Sequence, residues 1–300
     1  MLLSLAVASG FADQRMRAYP DHVFQKYIPG ILDHSYGAPA IYRVLMPYGL
    51  TYLANSTGWT LPALWLATRL LAFLLAYLAI DRYLRTWFSS GEALTGVAVV
   101  AATIPLTFTN SWAHPDAIPE LAFFALGCYA AVNRRDVLFA VTLAVASLNR
   151  ETSGLLLLVY LVAQPWCRQT AYKLAVFGTI WSAVYMGLRW SIGWQPYEVW
   201  QLGKNLEFLK LLPPAYDPYY RSYAWFGLLL FGPMYLLASL VPPGTPPVVR
   251  RLLWVVPPFA VVCVLFSSII ESRIFTPVYP LVLPGLMFTL LRADTSKSAV

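Results

Sequence analysis

The chain has 300 residues, of which 59% are hydrophobic, 15% aromatic and only 12% charged, with a mean hydropathy of +0.59. A soluble surface needs about 25% charged residues, so half that proportion excludes a soluble globular protein, and it equally excludes disorder, collagen and coiled coil. The net charge of +7 does not read as a nucleic-acid surface, because the basic residues never run longer than the pairs Arg134-Arg135 and Arg250-Arg251, a spacing that suits the ends of membrane spans. Length alone would suit roughly two soluble domains; the composition implies instead a single integral membrane domain over 1–300 whose outward face meets lipid. Cys128, Cys167 and Cys263 are odd in number, far apart and in or beside apolar runs, so they read as packing residues with no disulfide or metal framework.

In chain order, 1–12 reads as a short or truncated first helix. A signal peptide is the alternative, since Ala6, Ala8, Ser9, Gly10 and Ala12 are small, but a basic leading region is missing. Residues 13–59 form an outer loop, within which 41–54 is apolar but short and contains Pro47 and Gly49, which reads as a re-entrant or interfacial segment. The helical bundle occupies 60–292, beginning with apolar runs at 60–80, 92–108 and 117–132. Two shorter runs follow, 137–148 and 154–166, separated by Asn149-Arg150-Glu151-Thr152-Ser153. As helices each covers only about 20 Å of a hydrocarbon core about 30 Å thick, so they predict a broken hairpin whose polar tip lies below the membrane surface. Runs at 172–192, 223–241, 252–270 and 275–291 complete the bundle, with an outer loop at 193–222 and a tail at 293–300. The expected fold is all-α: a polytopic transmembrane helical bundle of about nine to ten membrane segments with a re-entrant or amphipathic first outer loop.

Threading these runs alternately through a bilayer puts Arg82, Arg85, Arg134, Arg135, Arg168, Lys173, Arg250, Arg251, Arg292 and Lys297 on one side, against Asp81, Glu92, Asp136 and Asp294. Those charges sit in short loops, so by the positive-inside rule that side and the C-terminus are cytoplasmic. Arg69 falls inside a span, where a charge must face protein or water. All three histidines, His22, His34 and His114, fall on the outer side with most of the acids.

That outer face holds the candidate chemistry. His114-Pro115-Asp116 with Glu120 opens a span, where a helix dipole favours negative charge. Arg150-Glu151 occupies the hairpin tip, Glu271-Ser272-Arg273 a very short turn, and Arg43 follows Tyr42 in the first loop. Intramembrane ionisable residues are functional by default, with a local ion pair in a polar turn as the competing account. The histidines match no standard ligand spacing, so no metal site is assigned. Trp194, Tyr197, Trp200, Tyr216, Tyr219, Tyr220 and Tyr223 crowd the second outer loop, a density suited to a headgroup layer.

Taken in order, Asp21-His22-Val23-Phe24, then Pro39 and Tyr42-Arg43-Val44-Leu45-Met46-Pro47, then Pro115-Asp116, then Asn149-Arg150-Glu151-Thr152, then Glu271-Ser272-Arg273 before Pro277 and Pro280, the chain resembles bacterial members of the glycosyltransferase C superfamily, membrane enzymes that use polyprenyl-phosphate-linked sugars. The resemblance implies an inverting transfer at the outer face of a bacterial inner (plasma) membrane. Asp21, with Asp33 second, would be the general base on an acceptor hydroxyl. Arg43, Arg150 and Arg273 would bind the donor phosphate, and Asp116 would orient the acceptor or position an arginine. His22, His114, Glu120, Glu151 and Glu271 would support the site. The implied partners are a lipid-linked sugar donor, a glycan, lipid or protein acceptor, and membrane lipid, with no nucleic acid. No cofactor is implied; the first-loop acid is not doubled as in some relatives, and a divalent metal is left open. A transporter or lipid flippase, with Arg150, Glu151 and Arg69 as a charge relay, and a non-catalytic membrane subunit are the rival readings.

Overall fold

A computed structural model describes residues 1–16, 22–108, 116–196, 200–209, 218–269 and 271–292. The described residues are helical or irregular, with no strand among them. The first helix, α1 (Leu2–Met16), packs along α4 (Leu61–Leu84) and is longer than the apolar run that predicted it. After it come a π-helical turn (Val23–Tyr27) and α2 (Ile28–Leu32), followed by the 3-10 turn Ala40–Tyr42 and α3 (Leu45–Thr57). Pro47 lies in the first turn of α3, where backbone N–H groups lack intrahelical acceptors, so proline is tolerated there. Gly58 ends α3 at a φ of 71°, the left-handed conformation that glycine adopts without strain. Val23, Tyr27, Ile28 and Ile31 pack with Leu50, Leu64 and Trp65 into a small separate core, which fixes the first loop on the start of α4.

The main core is built around α6 (Ala117–Val132), which is buried on nearly every side and packs against α4, α7 (Asp136–Asn149) and α8 (Leu155–Ala163). A helix apolar all round must be covered all round. On α6, Gly127 lets Leu156 of α8 approach so closely that a Cβ there would stand 2.6 Å from it. α5 (Ser90–Thr103) starts with a capping box between Ser89 and Glu92, and at Pro105 passes into the 3-10 turn Ile104–Phe108. α9 (Arg168–Ile192), α10 (Leu202–Phe208) and α11 (Pro218–Ser239) follow. The run expected at 252–270 is two helices, α12 (Pro247–Leu253) and α13 (Val256–Phe266). Pro257 and Pro258 have no N–H to offer the carbonyls of Leu253 and Trp254, so the chain closes a turn there before resuming. The last helix, α14 (Val278–Arg292), crosses α11 closely enough that a Cβ on Gly285 would stand 2.8 Å from the Ala238 carbonyl oxygen.

Among the described residues three stretches are long and apolar enough to cross a membrane: Leu61–Leu84, Ser90–Thr107 and Pro247–Phe266. The exterior is apolar as well, with Leu71, Leu75, Val141, Leu229, Leu236 and Val261 exposed. Several charges are buried, Arg43, Arg150, Arg189 and Arg273 among them, and so is Arg69, over the Trp65 ring as its position in a span required, while Arg82, Arg85, Arg134, Arg135, Arg168, Arg250 and Arg251 are exposed. The apolar exterior and the three long apolar stretches mark membrane association. Cys128 and Cys263 are packed as expected, whereas Cys167, in the connection from α8 to α9, is exposed.

Candidate functional site

Four segments distant in sequence meet around the N-terminus of α6. The 3-10 turn Ala40–Tyr42 delivers Arg43. Its Tyr42 hydroxyl donates to the Gly193 carbonyl at 2.8 Å and accepts from the Gln195 N–H at 2.9 Å. The Arg189 guanidinium lies over the Tyr42 ring, 4.2 Å from its centroid, and 3.5 Å from that of Tyr185, a buried cation–π stack that ties the turn to α9. Asp116 stands at the N-cap of α6. Arg150 occupies extended backbone between α7 and the 3-10 turn Glu151–Gly154. The turn Ser272–Phe275 supplies Arg273 and is held by Ser272 Oγ on the Leu106 carbonyl at 3.2 Å and by Thr276 Oγ1 on the Arg273 carbonyl at 2.9 Å.

Asp116 is the hub. Its Oδ2 is 3.1 Å from Arg43 Nη1 and 3.2 Å from Arg150 Nε, and its Oδ1 is 3.9 Å from Arg273 Nη1. Asn149 Nδ2 donates to its carbonyl at 2.9 Å. One turn along α6, Glu120 receives Arg150 Nη1 at 2.5 Å and the Thr152 hydroxyl. Glu151 receives Arg43 Nη2 at 3.2 Å, and Glu271 receives Arg273 Nη2 at 2.5 Å. The four acids fall into two classes: the side chains of Asp116 and Glu120 are 2% and 3% exposed, while those of Glu151 and Glu271 are 26% and 23% exposed. The inner pair are fixed counter-charges at a helix N-terminus, which itself favours them. The outer pair border a cavity.

That cavity, about 280 Å³, is walled by Arg43, Arg150, Arg273, Glu151 and Glu271, with Gln201, Ser267 and Ser268 opposite. Three guanidiniums therefore face it against two carboxylates. Nε and Nη1 of Arg273 are buried with no hydrogen-bond acceptor among the described residues. Burying a donor without an acceptor costs about 1–3 kcal/mol, so this guanidinium gains most from an anion in the cavity. Burial holds Arg273 below its ordinary pKa against the pull of Glu271 and Asp116. For Arg43, burial also works against the charge, but Glu151 and Asp116 outweigh it and hold the group above its ordinary value. A second, apolar groove of about 680 Å³ is lined by Val44, Leu45, Tyr48, Leu148, Leu188 and neighbours; Val44 follows Arg43 directly, and Leu148 lies two residues before Arg150.

Seven of the residues singled out from sequence thus converge: Arg43, Asp116, Glu120, Arg150, Glu151, Glu271 and Arg273. Asp33 does not line the cavity; its exposed carboxylate accepts from Ser35 Oγ at 2.6 Å and Ser35 N–H at 3.0 Å, which holds it below the usual carboxylate range and makes it a weak proton acceptor. The His22 ring stands edge-on to Tyr36, 6.4 Å between centroids, and Tyr36 packs edge-on to Tyr27. Burial, together with the Asp116 charge, holds the Tyr27 phenol well above its ordinary pKa, which puts this part of the first loop within electrostatic reach of the cluster. Asp21 and His114 lie outside the described residues.

Sequence reasoning missed two supports. Fully buried Asn205 of α10 donates Nδ2 to the Val264 and Ser267 carbonyls at 2.6 and 2.7 Å and accepts from the Ile269 N–H at 3.1 Å, so it shapes the cavity wall at Ser267 and Ser268. A lone asparagine in an expected outer loop carries no signal for this. Arg189 did have one, its i,i+4 spacing from Tyr185. Among the described residues no group of three His, Cys, Asp or Glu side chains is placed to hold a metal ion. No family model, curated protein or solved structure matches the chain.

Proposed function

We propose that this protein is a polytopic membrane glycosyltransferase that moves a sugar from a polyprenyl-phosphate donor to an acceptor hydroxyl. The observation that carries the reading is the convergence of Arg43, Arg150 and Arg273 on one cavity, with two Arg273 donors left for a ligand. A phosphate monoanion or dianion suits forked guanidinium donors better than any point charge does. The apolar groove that has Val44 and Leu148, near neighbours of Arg43 and Arg150 in sequence, in its wall suits the lipid chain of the same molecule, its phosphate lying against Arg43 and Arg150.

In this reading the acceptor oxygen attacks the anomeric carbon, the bond from that carbon to the phosphate oxygen breaks, and the electron pair stays on phosphate. Arg273, Arg150 and Arg43 stabilise the charge gained by the leaving group, where preorganised donors matter most. The acceptor proton passes to a carboxylate, for which the superfamily resemblance indicates Asp21, a residue outside the described ones. Asp116 and Glu120 serve as positioning residues, since their carboxylates are committed to Arg43 and Arg150. The basic short loops make the opposite end cytoplasmic, so the transfer takes place at the outer face.

Incubating the purified protein with a range of polyprenyl-phosphate sugars and candidate acceptors, followed by mass analysis, tests the proposal. A new glycosidic product and free polyprenyl phosphate are expected. Substrate flux into vesicles with no such product would establish the transporter reading instead.

A further inference from the structure

We infer a second anion site at the opposite end of the bundle, one that takes the phosphodiester headgroup of an anionic phospholipid. It rests on the membrane-spanning reading and not on the sugar-transfer reading, so either can fail alone. A cavity of about 330 Å³ lies between the end of α11 and the start of α12–α13, walled by Tyr235, Ser239 and Val241 on one side and by Arg250, Leu253 and Trp254 on the other. The volume suits a headgroup and is too small for a whole lipid. Arg250 Nη2 donates to the Pro242 carbonyl at 2.9 Å, which holds the side chain at the cavity, and Arg250 has no ion pair among the described residues.

Three other basic residues assigned to this side are engaged, and none of the basic residues assigned to it except Arg250 lines this cavity. Arg85 pairs with Asp81 at 2.7 Å, Lys173 with Asp136 at 2.6 Å, and Arg82 donates to the Tyr129 hydroxyl at 3.2 Å. Arg250, exposed and without an ion pair among the described residues, brings its charge to the rim of the recess. Leu236 and Leu240 of this end are exposed beside it, and the Trp254 ring is 74% exposed, as a residue at a headgroup boundary would be. An exposed arginine at the rim of a recess between helices, an exposed tryptophan beside it and exposed leucines for acyl chains together select a lipid that carries negative charge.

The test uses the full chain in detergent, with native mass spectrometry in mixed phosphatidylglycerol and phosphatidylcholine micelles. Wild type is expected to retain phosphatidylglycerol in preference. Arg250→Gln should weaken that retention about fivefold, the effect of one basic residue at an anionic surface, while Arg251→Gln, the same charge change one residue away and outside the cavity, should leave it nearly intact. An unchanged thermal midpoint in both variants shows that folding is preserved. Equal retention of the two lipids, or equal losses in the two variants, would overturn the site in favour of general surface charge. Displacement of the lipid by millimolar inorganic phosphate would overturn the lipid assignment in favour of a free phosphate.

Discussion

Asp116 neutralises two guanidiniums from segments 73 and 34 residues away in the chain, Arg43 and Arg150, and at 2% exposure it does so almost without water. Removing one member of a buried ion pair leaves the other charge uncompensated and costs about 3–5 kcal/mol, whereas breaking an ion pair open to solvent costs about 1 kcal/mol or less. Asp116→Asn is therefore expected to lower the thermal midpoint in detergent steeply. Glu151→Gln, whose side chain is 26% exposed, is expected to lower it little. Equal effects would contradict the division into inner and outer acids. The arginines and Asp116 were legible in the sequence because charges are so scarce there that each one near a span demands an account. Which acid would hold which arginine was not legible, since that depends on the depth of each turn and on Asn149 bonding the Asp116 carbonyl.

At the scale of elements, apolar run length located several helices: α6 has the expected bounds, and the broken hairpin α7–α8 turns at Arg150, while three of the expected nine to ten membrane segments are long and apolar enough to cross among the described residues. The division of 252–270 into α12 and α13 was written in Pro257 and Pro258, which an apolar count ignores. The first loop resisted reading because its small core depends on contacts between Val23–Tyr27 and Leu64 and Trp65, across about forty residues of chain. Close helix contacts supply the element-scale prediction. Gly285→Ala drives a methyl group into the Ala238 carbonyl oxygen, a backbone atom that cannot rotate away, so α11 and α14 must separate at a cost of about 1–3 kcal/mol. Gly232→Ala meets nothing within 4 Å, and by helix propensity it should be neutral or stabilising by up to about 1 kcal/mol. Thermal unfolding of the two variants should shift in opposite directions or only for Gly285; a larger loss in Gly232→Ala would contradict the packing of α11 on α14.

At the scale of the whole molecule, the apolar exterior and the long apolar helices suit a bilayer, and the orientation proposed from the basic short loops would put the arginine cavity at the outer end and Cys167 at the cytoplasmic end. Cys167 is exposed, and the Thr170 hydroxyl lowers its thiol pKa, while Cys128 and Cys263 are buried. A membrane-impermeant maleimide should label Cys167 alone, in inverted vesicles and not in right-side-out ones; the reverse sidedness would turn the topology over. An apolar groove with Val44 and Leu148 in its wall and a cavity walled by Arg43 and Arg150, their near neighbours in sequence, suit the two ends of one molecule, and the proposed function has a lipid-linked phosphate fill both. Direct binding of polyprenyl phosphate to the purified protein, compared between wild type and Arg273→Lys, tests this most directly. Saturable binding is expected in wild type, weakened about tenfold or more in Arg273→Lys, which keeps the charge and loses the forked donors. Binding equally tight in the two proteins would contradict it.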